Sequence, residues 1–236
     1  MELSIVTYNI HRAIGNDRKY NLSRIIEICK ELNPDFIALQ EVDHSVPRSR
    51  HEDMAKIISC ELGMEYILGL NVKLKQGAYG NATFSRHPIL FSENVDLTWT
   101  IKKARGCLIS KVAHPAGEIF LCNFHLGLAG MERVRQVRKI LHSIHDRIDR
   151  PILALGDTND HQHRLDQILL RGGLRETGEK EKSLRTFPSY APIWRLDRIY
   201  YSRHFHLKEQ MVIRSRQTRI ASDHLPVYAK LTYRKI

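Results

Sequence analysis

The sequence predicts an α/β fold: a duplicated four-layer sandwich, with two mainly antiparallel sheets packed together and helices outside them. Three observations point there. A strand–helix–strand unit near the start returns in the second half of the chain. The remaining segments read mostly as short strands with a few covering helices. No Pro/Gly/Ser-rich linker or low-complexity tract divides the chain, so residues 1–236 are read as a single domain.

Taken in order, Leu3 to Asn9 is rich in apolar and β-branched residues and reads as a strand, with a break at Gly15-Asn16-Asp17. Leu22, Ile25, Ile26, Cys29 and Leu32 recur at helical spacing, with Asn21 placed to cap the helix and Asn33-Pro34 to stop it. Phe36 to Leu39 is a buried strand ending at Gln40-Glu41, and His51 to Leu62 is a helix closed by Gly63. Asn81 to Phe84 and Val95 to Trp99 read as strands, and Cys107 to Ala113 pairs through Pro115-Ala116-Gly117 with Ile119 to Cys122. The second unit follows: a strand from Glu118 ends in Asn123-Phe124-His125, Met131, Val134, Val137, Leu141, Ile144 and Ile148 mark a helix, and Ile152 to Leu155 runs into Gly156-Asp157. A helix from His163 to Leu170 is closed by Gly172-Gly173, and Arg198 to Tyr201, His206 to Ile213 and Val227 to Tyr233 complete the strands. Asn9-x-His11 and Glu41 in the first unit correspond to Asn123-x-His125 and Asp157 in the second.

Composition bounds the function. The chain lacks a long apolar run, and its first residues enter a strand pattern with no basic leader or cleavable stretch, so a cytoplasmic protein without a transmembrane segment is expected. Cys29, Cys60, Cys107 and Cys122 form no C-x-x-C pair, and Cys122-x-x-His125 has no second pair to complete a zinc site; reduced packing residues are expected. The net charge of +11 favours a polyanionic partner, a nucleic acid or an acidic phospholipid surface, although surplus cations on solvated faces would also produce it. No protein partner can be inferred.

The chemistry sits where apolar strands end. Glu41, Asp157, Asp197 and Asp223 each close or flank a strand, where a carboxylate is costly unless solvated, paired or bound to a metal. Acids without a thiol cluster favour a hard cation, Mg²⁺ or Mn²⁺, over zinc, while turn capping is the bland alternative for each acid alone. Gly156 lets the chain turn sharply into Asp157-Thr158-Asn159, which joins a carboxylate able to deprotonate water to an amide able to hold a phosphoryl oxygen. His224, preceded by Asp223, is poised to titrate near neutrality.

Thr7-Tyr8-Asn9-Ile10-His11, Leu39-Gln40-Glu41-Val42-Asp43, Gly80-Asn81-Ala82-Thr83-Phe84-Ser85-Arg86, Asn123-Phe124-His125, Gly156-Asp157-Thr158-Asn159, Arg195-Leu196-Asp197-Arg198-Ile199 and Ser222-Asp223-His224-Leu225-Pro226 resemble, in this order, the motifs of the endonuclease/exonuclease/phosphatase superfamily. That family has a duplicated α/β sandwich and includes deoxyribonucleases, exonucleases and neutral sphingomyelinases. The resemblance implies that Glu41 is the principal metal ligand, with Asn9 beside it and Asp223 assisting. It implies further that Asp157 activates water, Asn159 holds a phosphoryl oxygen, and His224, oriented by Asp197, contacts the scissile phosphate. His125 matches a second catalytic imidazole of the deoxyribonuclease and sphingomyelinase branches. His11 and Val42-Asp43 depart from the abasic-site endonucleases, whereas Asn-Ile-His, Arg105-Gly106 and the Trp194 to Ile199 stretch look more like a bacterial branch of uncharacterised hydrolases.

Substrate contacts are expected from Asn81, His11 and the basic group Lys102, Lys103 and Arg105, with Arg214, Arg216 and Arg219 as a second basic group. Arg133, Arg135, Arg138 and Lys139 are expected on a solvated helix face. Tyr190 and Trp194 would stack on a base, touch lipid or pack their own loop. The expected function is a metal-dependent phosphoesterase, more specifically a phosphodiesterase cleaving a nucleic acid by direct attack of water. The rivals are an enzyme acting on a phospholipid or small phosphoester, and a non-catalytic scaffold that keeps the fold.

Overall fold

In the computed structural model, which describes residues 1–178 and 182–234, apolar alternation and helix caps place the elements. The first half holds β1 (Glu2–Asn9), α1 (Leu22–Leu32), β2 (Phe36–His44), α2 (Met54–Leu62), β3 (Glu65–Lys73) and β4 (Ala78–Ser85). Next come β5 (Ile89–Asp96), β6 (Gly106–His114), β7 (Gly117–His125), α3 (Gly130–Ser143), β8 (Ile152–Asp157), α4 (Arg164–Arg171) and β9 (Arg175–Glu176). The chain continues through β10 (Asp197–Tyr201), β11 (Phe205–Val212), α5 (Arg216–Ala221) and β12 (Val227–Tyr233).

The caps explain the boundaries. The Asn21 side chain accepts from the Arg24 amide at the start of α1, and Asn33 ends the helix in the left-handed region, as the sequence predicts. The predicted start of α2 at His51 is three residues early: Arg50 and His51 both have positive φ, and Asp53 caps the helix by accepting from the Lys56 amide. The strand expected at Val95 to Trp99 is instead the end of β5, because the Asp96 carboxylate accepts from the Thr98 amide and turns the chain. Ile144 and Ile148 lie beyond α3, around a 3₁₀ turn at His145–Arg147.

The sheets are six-stranded, in the orders β11-β12-β1-β2-β4-β3 and β5-β6-β7-β8-β10-β9. Position by position the orders are equivalent, so the duplication read from the sequence is present in the topology. Each sheet is mixed, with one parallel pair at its centre, β1 with β2 and β7 with β8; every other pairing is antiparallel. A parallel pair needs a crossover, which α1 and α3 supply.

Three apolar layers follow. Ile25, Cys29, Ile58 and Ala55 of α1 and α2 pack on Val6, Tyr8, Ile37 and Phe84 of the first sheet. Val137, Ile140, Leu165 and Leu169 of α3 and α4 pack on Cys122, Phe124 and Ala154 of the second. Leu3, Ile5, Phe36, Leu121, Leu153, Leu155 and Leu231 fill the space between the sheets. Of the cysteines, Cys29, Cys107 and Cys122 are buried and Cys60 is exposed, all with free thiols. No helix among the described residues is long and apolar enough to cross a membrane.

The inter-sheet core turns polar toward the end where β1, β2, β7 and β8 finish. Gln40 Nε2 donates to Asn123 Oδ1 at 2.9 Å and to Thr7 Oγ1 at 3.1 Å. Asn123 Nδ2 donates to the Leu39 and Ala82 carbonyls, at 3.1 and 2.9 Å, and Asn81 Nδ2 donates to the Gly106 and Asn123 carbonyls, at 3.0 and 3.2 Å. All three amides are buried and cross from one sheet to the other. Asn123→Ala should therefore destabilise the fold by about 3 kcal/mol, the cost of leaving several buried polar groups unpaired. Urea unfolding measures it, and a loss below about 1 kcal/mol would show that these bonds contribute little.

Candidate active site

The site begins with backbone. Gly156 has φ 148°, and a Cβ there would stand 1.9 Å from the Phe124 carbonyl oxygen, so only glycine brings Asp157 up against the neighbouring strand. Glu41 lies within an irregularity of β2 between Leu39 and Val42, with φ 58°. Asn159 has φ 49°, and His11, Arg12 and Ala13 have φ 44°, 60° and 55°. Such residues cost about 1 kcal/mol or more each and gather where side chains must be aimed.

Asp157 is the centre. Its Oδ2 accepts from Asn9 Nδ2 at 3.0 Å, across the two sheets, and its Oδ1 accepts from the Asn159 amide at 2.9 Å. His125 Nε2 lies 3.4 Å and His224 Nε2 3.7 Å from Oδ2. On its far side, His224 Nδ1 donates to Asp197 Oδ2 at 2.7 Å, and Thr186 Oγ1 donates to the same oxygen at 2.6 Å. The Phe187 ring packs 4.8 Å from the His224 ring. Ser222 Oγ donates to the Asn9 carbonyl at 2.7 Å and accepts from the His224 amide at 3.2 Å, which ties the loop before β12 to the end of β1.

The environments push these groups apart. Burial disfavours the imidazolium of His224, but the Asp197 and Asp157 carboxylates and the hydrogen bond to Asp197 outweigh it and lift its pKa to about 10. Burial, with the Asp197 charge adding to it, raises Asp157 to about 6 against the pull of His224, the Asn159 amide and Asn9. Burial and the positive charges of Arg105, His224, Lys103 and Arg12 hold His125 well below the ordinary histidine value. One imidazole is thus charged and the other neutral at pH 7.

Two places could attract a cation. Asp157, Asp197 and His224 offer atoms within 4.8 Å of one another; Asp197 Oδ2 is taken by His224 and Thr186, while its Oδ1 is buried without a hydrogen-bond partner among the described residues. The second place is Glu41: among the described residues its Oε2 is buried and accepts no hydrogen bond, meeting Arg12 Nε at 3.1 Å. An unsatisfied carboxylate oxygen on β2, one residue after the Gln40 that pairs with Asn9 at the end of β1, suits a hard oxygen-seeking cation. Asp223 is one-third exposed, with His11 Nδ1 3.9 Å from its Oδ1; His11 Nδ1 also lies 3.1 Å from the Ile14 carbonyl.

Glu41, Tyr79, Asn81, Arg105 and His125 line one narrow cleft. Lys102, Lys103 and Arg105 line the adjoining hollow with Gly127 and Leu128. Lys103 Nζ sits 5.2 Å above the Tyr79 ring, whose ring also holds the Arg48 guanidinium at 5.2 Å. Arg48 in turn grips the buried Asp43 with two bonds of 2.9 and 2.7 Å. The second basic group is occupied differently: Arg214 donates to the Ser183 and Arg185 carbonyls. Arg133 departs from the expected solvated face. It is buried, donating to the Leu128 carbonyl at 2.6 Å and standing 3.6 Å from Asp160. Trp194 packs on Phe187 and His161, while Tyr190 is exposed.

Asn123, matched in the sequence to Asn9, is not in this cluster. Asn9 stands opposite Gln40, one residue before Glu41, whereas Asn123 stands opposite Leu155, two before Asp157. Asn9 is the last residue of β1 and its amide reaches Asp157 at the sheet end, whereas Asn123 lies two residues before the end of β7 and its amide stays in the inter-sheet core. Sequence reasoning did not single out Arg12, Thr186, Phe187 or Tyr79. Arg12 adjoins a singled-out histidine, but the positive φ that turns it toward Glu41 has no glycine to announce it.

Comparison with known proteins bears on the family and the fold. The model of the Endonuclease/Exonuclease/phosphatase family matches residues 6–224. The uncharacterized protein YbhP of Escherichia coli K12 is 28% identical over 244 residues, covering 96% of this chain and 95% of YbhP. The mannosyl-6-phosphatase of Bacteroides thetaiotaomicron superposes with a TM-score of 0.78 at 21% identity, covering 98% of this chain and all (100%) of that one. D. rerio TDP2, complexed with a single-strand DNA product, gives a TM-score of 0.75 at 20% identity, over 98% of this chain and 99% of that one. At these identities the two solved structures bear on the fold.

Asp197→Asn should lower the pKa of His224, because the neutral amide no longer stabilises the imidazolium that burial disfavours. Histidine Cε1 NMR titration measures it, and an unmoved His224 resonance would mean that Asp197 does not set its charge.

Proposed function

The chain belongs to the endonuclease/exonuclease/phosphatase family, a family of phosphoester hydrolases, and we propose that it is a Mg²⁺- or Mn²⁺-dependent phosphodiesterase cleaving a nucleic acid by direct attack of water. The observation that carries the reading is the connected unit Asn9–Asp157–His224–Asp197 beside the unsatisfied carboxylate of Glu41. Glu41 and Asn9 would hold the cation, with Asp223 assisting. When bound, such a cation supplies electrostatic stabilisation to phosphoryl and leaving oxygens.

The chain's own groups then divide the work. Asp157, oriented by the Asn9 amide and the Asn159 backbone N–H, takes the proton of the attacking water; its raised pKa makes it a better base than an ordinary carboxylate. His224, held in place by Asp197 and Thr186, presents a charged Nε2–H to a phosphoryl oxygen. Asn159 Nδ2, now donating to the Leu126 carbonyl at 2.9 Å, would turn to a second phosphoryl oxygen. His125 stands within reach as a neutral imidazole, and Asn81, His11, Arg105, Lys102 and Lys103 would meet the phosphates and sugars beyond the scissile bond. We read residues 1–236 as one catalytic domain working in the cytoplasm.

Lys102, Lys103 and Arg105 beside the cleft favour nucleic acid, and TDP2, which shares the fold, was solved with a single-strand DNA product. The second reading, a phospholipid or small phosphoester, draws on different residues. Ile101, Leu128 and Met131 are 100%, 75% and 69% exposed on segments that border the same lysines, a mixture suited to an acidic lipid surface.

Purified protein should hydrolyse bis-p-nitrophenyl phosphate with Mg²⁺ or Mn²⁺ and lose the activity to EDTA. Asp157→Ala and His224→Ala should each lower kcat by about a thousandfold while leaving a folded protein. A chain that turns over no phosphoester under these conditions would be the scaffold rather than the enzyme. A panel of plasmid DNA, RNA, phospholipid vesicles and inositol phosphates at near-physiological salt separates the substrates. With nucleic acid as substrate, the Lys102→Ala/Lys103→Ala protein should show a raised KM and a shallower salt dependence; an unchanged KM on DNA and RNA beside strong vesicle hydrolysis would favour the lipid.

A further inference from the structure

The contact between Arg12 and Glu41 is unlike the other close arginine–carboxylate pair near the cleft. Arg48 clasps Asp43 through two well-aligned bonds. Arg12 Nε instead stands 3.1 Å from Glu41 Oε2 without hydrogen-bond alignment, and both atoms are buried with no other partner. The pair is therefore a Coulombic contact with its directional bonding unused on both sides. Each partner rides on left-handed backbone, Arg12 in the middle of the His11–Ala13 turn and Glu41 in the irregular stretch of β2. Glu41, which Arg12 meets, lines the cleft together with His125.

We propose that Arg12 is a positioning residue that exchanges partners: it holds Glu41 while no cation is bound and passes to a substrate phosphate when a cation takes the Glu41 oxygen. The inference rests on the metal-dependent reading above. A divalent cation and a guanidinium at one carboxylate oxygen repel each other, so cation binding there favours the departure of Arg12. A displaced guanidinium has five donors in a planar fork, a match for phosphate oxygens. Cation and phosphate then favour each other's binding through this one side chain, and the coupling is reciprocal.

Mn²⁺ titration followed by electron paramagnetic resonance, in phosphate-free buffer at near-physiological salt, tests this without turnover. Arg12→Gln should bind Mn²⁺ about tenfold more tightly than wild type, because a competing positive charge is gone. The Mn²⁺-loaded variant should bind inorganic phosphate about tenfold more weakly. Arg12→Met, which keeps the aliphatic stem, reads the same two shifts should the Gln variant fold poorly by circular dichroism. Folded variants with unchanged or weaker Mn²⁺ affinity would overturn the exchange while leaving the metal-dependent reading intact. Wild-type protein that binds no Mn²⁺ would overturn both.

Discussion

Everything at the site depends on two sheets being held in one alignment at one end of their contact. The apolar filling of Leu3, Ile5, Leu121 and Leu155 drives the sheets together but is not directional, so it tolerates sliding. The buried amides of Gln40, Asn81 and Asn123 do not, because each must reach particular atoms of the opposite sheet. That alignment is what lets Asn9, ending β1, donate to Asp157, ending β8, at 3.0 Å. The Ser222 bridge between Asn9 and the His224 amide carries the same reference to the loop before β12.

Charge follows from that alignment. Asp157 and Asp197 flank His224, and burial makes the two carboxylates and one imidazolium depend on one another. His125 approaches the same oxygen of Asp157 as His224 does, yet it lies among Arg105, Lys103 and Arg12 and stays neutral. Similar distances therefore produce opposite protonation states, decided by what stands behind each ring. The fold places acids behind one and cations behind the other.

The element order and the duplication were legible because they rest on local signals: strand runs, the Asn21 and Asn33 caps, the glycine before Asp157. So were the residues gathered around Asp157, since polar groups that close apolar strands have few inexpensive explanations. What escaped was non-local. β3 is a partly exposed strand with no clean alternation, and it is recognisable only beside β4. Thr186 reaches Asp197, and Phe187 reaches His224, from a loop whose shape depends on Trp194 and Asp197. The pairing of Asn9 with Asn123 failed for a different reason: Asn9 ends β1, whereas Asn123 stands two residues short of the end of β7.

Tyr79 has a further consequence. Its ring lies between Lys103 and Arg48, and Arg48 is fastened to the buried Asp43. A lysine on an exposed segment ordinarily samples many rotamers, and a bound anion must bear the entropy of choosing one. Here the aromatic shelf restricts Lys103 before any ligand arrives, so part of that ordering is met during folding. The shelf also lies on β4, and any shift of β4 would move the charge with it. Ligand recognition at this rim is in that sense linked to the mechanical rigidity of a strand buried along its whole length.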